Sequence, residues 1–223
     1  MLLDNILKVF QIIFYIVGGS VAVLTYLKAK NGLLNTINTE YHKKVIERLS
    51  LLSDELFAEF DRSGDKFWSK DNIAGEIIKR IHEELDGYKD DILSKNINPS
   101  DICGIPVPTK HQEIDAYLNR IKSDPFIPPS IRNKVISYLS GRSRSLMNSI
   151  IEEAELYIKG LGEGKYWEAA GTNEYWFHNH LMDRIRADGF GIQDNENLVI
   201  EIREDIRKYF EAYNPIKIKP QSL

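Results

Sequence analysis

The sequence predicts an all-α protein, a single transmembrane helix followed by a helical domain, and three observations carry the prediction. Residues 9–27 read VFQIIFYIVGGSVAVLTYL and hold no charge. Further along, apolar residues recur at spacings of three and four, the period of a helix with one buried stripe. Six of the eight prolines fall between Pro99 and Pro129, so the long periodic stretches on either side are uninterrupted.

The apolar segment is the strongest single signal. Its 19 residues, at about 1.5 Å each, span roughly 28 Å, close to the roughly 30 Å hydrocarbon core of a bilayer. Lys28, Lys30, Lys43 and Lys44 follow it, whereas Asp4 and Lys8 precede it. The basic excess on the C-terminal side predicts an inner-membrane protein, single-pass, with that side in the cytoplasm. Ser20-Val21-Ala22 also offers small residues to a signal peptidase. Against cleavage, the leading MLLDNILK carries little net charge, and the apolar run continues through Val23, Leu24, Tyr26 and Leu27.

One face of this segment is small or polar. Gln11, Tyr15, Gly18, Ala22, Thr25 and Ala29 follow one another at spacings of 4, 3, 4, 3 and 4. Membrane helices associate through close backbone approach and polar contacts, so this seam predicts a homo-oligomer. Gln11 is costly in lipid unless paired, and a second copy supplies the simplest partner.

The domain organisation follows: an anchor with a short tail over 1–30, then a cytoplasmic domain of five to seven helices over 31–223. A break is expected near Asn31-Gly32 as a membrane-exit loop, with Thr36 or Asn38 capping the next helix. Val45, Leu49, Leu52, Leu56 and Phe60 form its stripe. The turn Asp61-Arg62-Ser63-Gly64-Asp65 leads to a second amphipathic helix over about 71–95, with Ile73, Ile77, Ile81, Leu85, Tyr88 and Ile92 inward. A Pro-rich irregular segment covers 96–130. Within it Thr109-Lys110-His111-Gln112 reads as a capping box opening a short helix on Ile114, Tyr117, Leu118 and Ile121. Ser130 is the expected cap of the next helix, with Ile131, Val135, Leu139, Leu146, Ile150, Ala154, Tyr157 and Leu161 inward and a break at Ser140-Gly141. Gly160, Gly162 and Gly164 end it. Two helices, near 173–188 and 196–213, complete the domain, stopped by Asp188-Gly189 and Asn214-Pro215. Leu198 to Arg203 alternates apolar and polar at its end, which leaves a strand as the competing assignment there.

Composition excludes some function classes. With 29 basic and 33 acidic residues the net charge is −4, which argues against nucleic acid as the partner, since phosphate binding wants a basic face. A single cysteine, Cys103, rules out an intrachain disulfide and a Cys-rich zinc site. No cofactor is expected. The glycines at 160, 162 and 164 precede Lys165, but a phosphate loop is not completed, because Lys159 and Tyr166 hold its required positions, nor a dinucleotide fingerprint, because Lys165 stands where its third glycine belongs. Asp61, Ser63 and Asp65 match calcium-loop positions, yet Lys66 and Asn72 stand where the turn glycine and bidentate glutamate belong.

Glu174, His178, His180 and Asp183 form the one dense histidine cluster. On a helix Glu174 and His178 share a face, His180 and Asp183 share another, and the two histidines diverge, so no metal is expected between them. One histidine with a carboxylate remains a candidate for acid–base chemistry. Tyr166, Trp167, Tyr175, Trp176 and Phe177 surround the cluster, and Trp167 and Trp176 are candidate partner-binding residues. Arg142, Arg144 and the serines of 140–145 suggest a solvated basic turn. The arginine-to-histidine spacing of HEPN-type ribonucleases is absent.

Taken together, the expected function is that of a bilayer-anchored protein whose cytoplasmic domain oligomerises or binds a cytoplasmic protein partner without catalysis of its own. By analogy of architecture alone this suggests a membrane-acting effector of a bacterial antiviral defence system. The alternative is a membrane-tethered hydrolase or nuclease-like enzyme using the His178/His180 region.

Overall fold

A computed structural model describes residues 2–168 and 170–212. Every α-helix the periodicity predicts is present, and no strand occurs among the described residues; 198–203 lies inside a helix. The helices are α1 (Leu2–Phe57), α2 (Ile73–Leu85), α3 (Lys89–Leu93), α4 (Thr109–Ser123), α5 (Pro129–Gly162), α6 (Ala170–Ala187) and α7 (Ile192–Ala212). Short 3-10 turns cover Trp68–Lys70, Asp86–Tyr88 and Pro99–Asp101. The chain divides into two compact units, 1–47 and 48–223.

The described residues of the first unit are all helix, and the break expected near Asn31-Gly32 does not occur. Glycine in a helix interior costs only about 1 kcal/mol, and no proline follows to enforce a stop. Thr36 therefore caps nothing: its hydroxyl donates to the Gly32 carbonyl at 3.0 Å, inside the same helix.

The second unit packs around α5, which touches α3, α4, α6 and α7. Its predicted stripe is buried in full, from Ile131 and Val135 through Ile150 and Ala154 to Tyr157 and Leu161. Burying a side chain of this size contributes about 1.5–3 kcal/mol. The last turns of α1 bring Leu49, Leu52 and Leu56 into the core. There Arg203 of α7 donates to Ser53 at 3.0 Å and covers the Phe57 ring at 4.3 Å. Ile73, Ile77, Ile81 and Leu85 of α2 are buried, as are Ile114, Leu118 and Ile121 of α4 and Val199, Ile202 and Ile206 of α7.

Several boundaries differ from expectation, each for a local reason. The helix expected over 71–95 is split by the 3-10 turn at Asp86–Tyr88, so Tyr88 is exposed while Ile92 returns to the core. Asn72 caps α2, its Oδ1 accepting from the Gly75 amide at 3.0 Å. Helix α4 does not use a capping box. Gln112 instead donates to the Val107 carbonyl, and Glu76 of α2 accepts from the Thr109 amide and hydroxyl at 3.0 and 2.9 Å. A carboxylate at that end also complements the helix dipole. Helix α5 starts on Pro129, after Pro128, rather than on a Ser130 cap. It runs unbroken through Ser140-Gly141. Gly141 is there for packing, since a β-carbon on it would stand 2.4 Å from Cζ of Phe190.

The helix stops behave as read. Gly164 and Gly189 both have positive φ, +82° and +79°. The amide after each closes back on the helix, Lys165 to Gly160 at 2.9 Å and Phe190 to Ile185 at 3.0 Å. The stop expected at Asn214-Pro215 lies outside the described residues.

Candidate functional site

Two features stand out, one in each unit. In the first, α1 is the one described helix long and apolar enough to cross a membrane, and none of its apolar window is buried. Phe10, Ile13, Phe14, Tyr15, Ile16, Val17, Val21 and Leu24 are all more than half exposed. A core helix of a water-soluble protein with this composition would be mostly covered. Gly18 has no atom within 4 Å of where a β-carbon would stand. Gln11, Tyr15, Ala22 and Thr25 are exposed as well. Ser20 donates to the Ile16 carbonyl at 2.8 Å, so its hydroxyl is satisfied within the helix.

In the second unit four charged side chains meet below the surface. Glu59 stands in the turn after α1, Asp71 just before α2, Lys110 in the first turn of α4 and Arg142 midway along α5. Lys110 Nζ lies 2.7 Å from Glu59 Oε1 and 2.9 Å from Asp71 Oδ2. Arg142 Nη1 lies 2.7 Å from Glu59 Oε2 and donates to the Tyr138 hydroxyl at 3.2 Å. Burial alone pushes the Glu59 carboxyl up, but Arg142 and Lys110 outweigh it and hold the group below its usual range. Burial pulls Lys110 down, and Glu59 with Asp71 more than restores it. Burial also lifts the Tyr138 phenol, so that group stays neutral. The junction is thus two cations against two carboxylates, mutually compensated.

The 140–145 segment is accordingly no solvated turn. Arg142 is mostly buried in the junction, Ser145 donates to Asp188 at 2.8 Å, and Ser143 donates to Asp115 at 2.6 Å; only Arg144 is exposed. His111 stands against both, with Nδ1 at 3.2 Å from Ser143 Oγ and Nε2 at 3.4 Å from Asp115. The Ser143 hydroxyl donates to the Asp115 carboxylate, across two helices. The trio ties α4 to α5.

Two cavities share Asp71, Lys110 and Arg142 in their walls. One, of about 550 Å³, opens toward Tyr117 and Arg120. The other, of about 810 Å³, opens between α6 and the start of α7. Cys103 lines a third, of about 700 Å³. Burial pushes its thiol up to about 12, which makes it a poor nucleophile.

The histidine cluster does not converge. His178 and Asp183 line the 810 Å³ cavity, and Asp183 pairs with Arg186 at 2.9 Å. Glu174 packs instead against Gly75 of α2. His180 lies 3.8 Å from the buried Glu153, which is held chiefly by Arg184. Among the described residues no group of three or more His, Cys, Asp or Glu is placed to hold a metal ion. The aromatics mostly pack. Phe177 is fully buried; Tyr157, Tyr166, Trp176 and His180 form a ladder with neighbouring centroids 5.1, 5.4 and 4.5 Å apart. Trp167 donates to the Leu161 carbonyl at 2.9 Å, and Tyr175 alone is largely exposed, at 76%.

The junction was the feature least visible in advance, although a signal for it exists. Lys110 precedes Ile114 and Leu118 in register, and Arg142 fills the gap between Leu139 and Leu146. A charge standing on an apolar stripe is a charge with a buried partner.

No family model matches the chain, and comparison with curated proteins and with solved structures finds no significant match.

Proposed function

We propose that this is a single-span protein of the bacterial inner membrane, with its helical domain in the cytoplasm, and that it acts by assembly and partner recruitment. The observation that carries the reading is the uncovered apolar stretch of α1. An exposed run of this length is unfavourable in water and favourable in a bilayer. The lysines on its C-terminal side support the orientation. The seam through Gln11, Gly18 and Ala22 supports self-association, because it lets two backbones approach and gives Gln11 a polar partner. Catalysis by Glu174, His178, His180 and Asp183 acting together finds no support, since they point to three different surroundings.

The test is membrane fractionation of the full chain carrying a protease-accessible tag at either end. The expected result is recovery with membranes, the C-terminal tag protected in intact cells and the N-terminal tag cleaved from the periplasm. Recovery in the soluble fraction, or the reverse protection, overturns the anchor or its direction. For assembly, Gly18→Cys or Ala22→Cys in a Cys103→Ala background should crosslink in membranes, while Val17→Cys on another face should not. An entirely monomeric outcome removes the oligomer.

A further inference from the structure

We infer that the C-terminal end of the apolar stretch of α1 is a docking surface for anionic phospholipids, whose phosphodiester charge is not balanced within their own headgroup. The inference rests on the proposed anchor and names the lipid class that the anchor selects. Tyr26, Lys28, Lys30 and Asn31 close the stretch, and all four are exposed, Tyr26 at 66%. The helix runs through them without a break, so its period fixes their places around it. Tyr26 and Lys30 are four residues apart and share one face; Lys28 and Asn31 are three apart and share another, roughly opposite. Each face sets an ammonium beside a neutral hydrogen-bond donor, a phenol on one and an amide on the other. A phosphodiester uses both, one oxygen pairing with the ammonium and the other accepting from the neutral group.

Height and charge point the same way. Residues 9–27 match the hydrocarbon core in length, so 28–31, within about 6 Å of Leu27 along the axis, fall in the headgroup layer, roughly 5–7 Å thick. Side chains on a helix lean toward its N-terminus, here toward the bilayer, which carries both ammonium groups back to phosphate level. No acid on α1 is near enough to balance them. Asp4 lies on the other side of the stretch, and Glu40 is about 15 Å beyond Lys30. In the second unit, by contrast, the surface cations Arg120 and Lys134 each have a carboxylate beside them, Glu55 and Asp205. Two uncompensated lysines at this depth favour an anionic lipid over a zwitterionic one.

The experiment is electron spin resonance on the full chain reconstituted in phosphatidylcholine vesicles, with trace spin-labelled phosphatidylglycerol or spin-labelled phosphatidylcholine. The fraction of label immobilised against the protein reads the preference. The wild type should hold phosphatidylglycerol more strongly, by up to about fivefold for each lysine, and the preference should shrink at about 1 M salt. Lys28→Gln with Lys30→Gln should make the two lipids equal, while Lys28→Arg with Lys30→Arg should keep the preference. Lys43→Gln should change nothing, since Lys43 stands about 22 Å beyond Lys28, more than two screening lengths of about 8 Å. Failure of the chain to float with the vesicles removes the anchor and this inference together. Flotation without a lipid preference overturns the inference and leaves the anchor standing. So does a preference that survives the double glutamine variant, or one that Lys43→Gln abolishes equally.

Discussion

Ile13 and Ile150 are the same side chain in opposite circumstances: the first is 51% exposed on α1, the second is fully enclosed by the second unit. The contrast holds across the two units. Between residues 48 and 212 the helices bury a continuous apolar core, and the charges of the junction within it are matched. Over 10–27 the large apolar groups face outward with nothing over them. Identical chemistry placed oppositely signals two different surroundings, and the anchor reading rests on that difference rather than on composition alone.

The comparison can be broken most sharply by putting the same charge in both places. Ile150→Asp should abolish the cooperative melting of the domain, because even Ile150→Ala costs about 2–5 kcal/mol and a lone buried carboxylate costs more. Ile13→Asp should leave that melting curve unmoved and, if α1 spans a bilayer, weaken membrane insertion by about 3 kcal/mol. Circular dichroism and fractionation read the two effects separately. Equal thermal destabilisation by both would mean that α1 is covered after all.

Glu59→Gln comes next, at about 3 kcal/mol, the low end for a buried pair broken on one side because Asp71 still holds Lys110. It also changes the pH profile. The folded-state Glu59 carboxyl lies below its unfolded value. Its stabilisation is therefore complete above the ordinary glutamate range and fades as pH falls through that range to the lower folded value. The melting temperature of the wild type should drop through that acid window, and Glu59→Gln should flatten that part of the drop. Urea titrations across the window would show it, and an unchanged acid limb would take the junction out of the stability account.

The smallest effect is expected at Gly141→Ala, about 1–3 kcal/mol, since the new methyl must displace the Phe190 ring. A neutral or stabilising result in a melting experiment would mean that the ring swings away freely.

How much of this was legible depends on the range of the interaction. The stripes Ile73–Ile77–Ile81–Leu85 and Val135–Leu139 could be read because helix period and burial are both local. The stops at Gly164 and Gly189 could be read because only the identity of one residue decides them. Breaks at Gly32 and Gly141 were expected and are absent. A glycine says only that a turn is possible, and at 141 the reason for it is an aromatic ring almost fifty residues further on. Arg142 was placed in solvent because nothing near it in sequence could neutralise it. Its partner, Glu59, sits on the far side of three helices in the chain order. Of the candidate residues, His178 and Asp183 do line a cavity. Asn195, whose buried Oδ1 is left without a partner, has no sequence pattern to mark it.

The start of α4 has a consequence for dissection of the molecule. Its cap is lent by Glu76, a residue of α2 that also holds Arg80 at 2.6 Å. Any fragment beginning after residue 85 would strip the Thr109 amide and hydroxyl of their acceptor, so 73–123 ought to be inherited as one piece. Expression boundaries, split reporters and swaps with other chains should respect that loan.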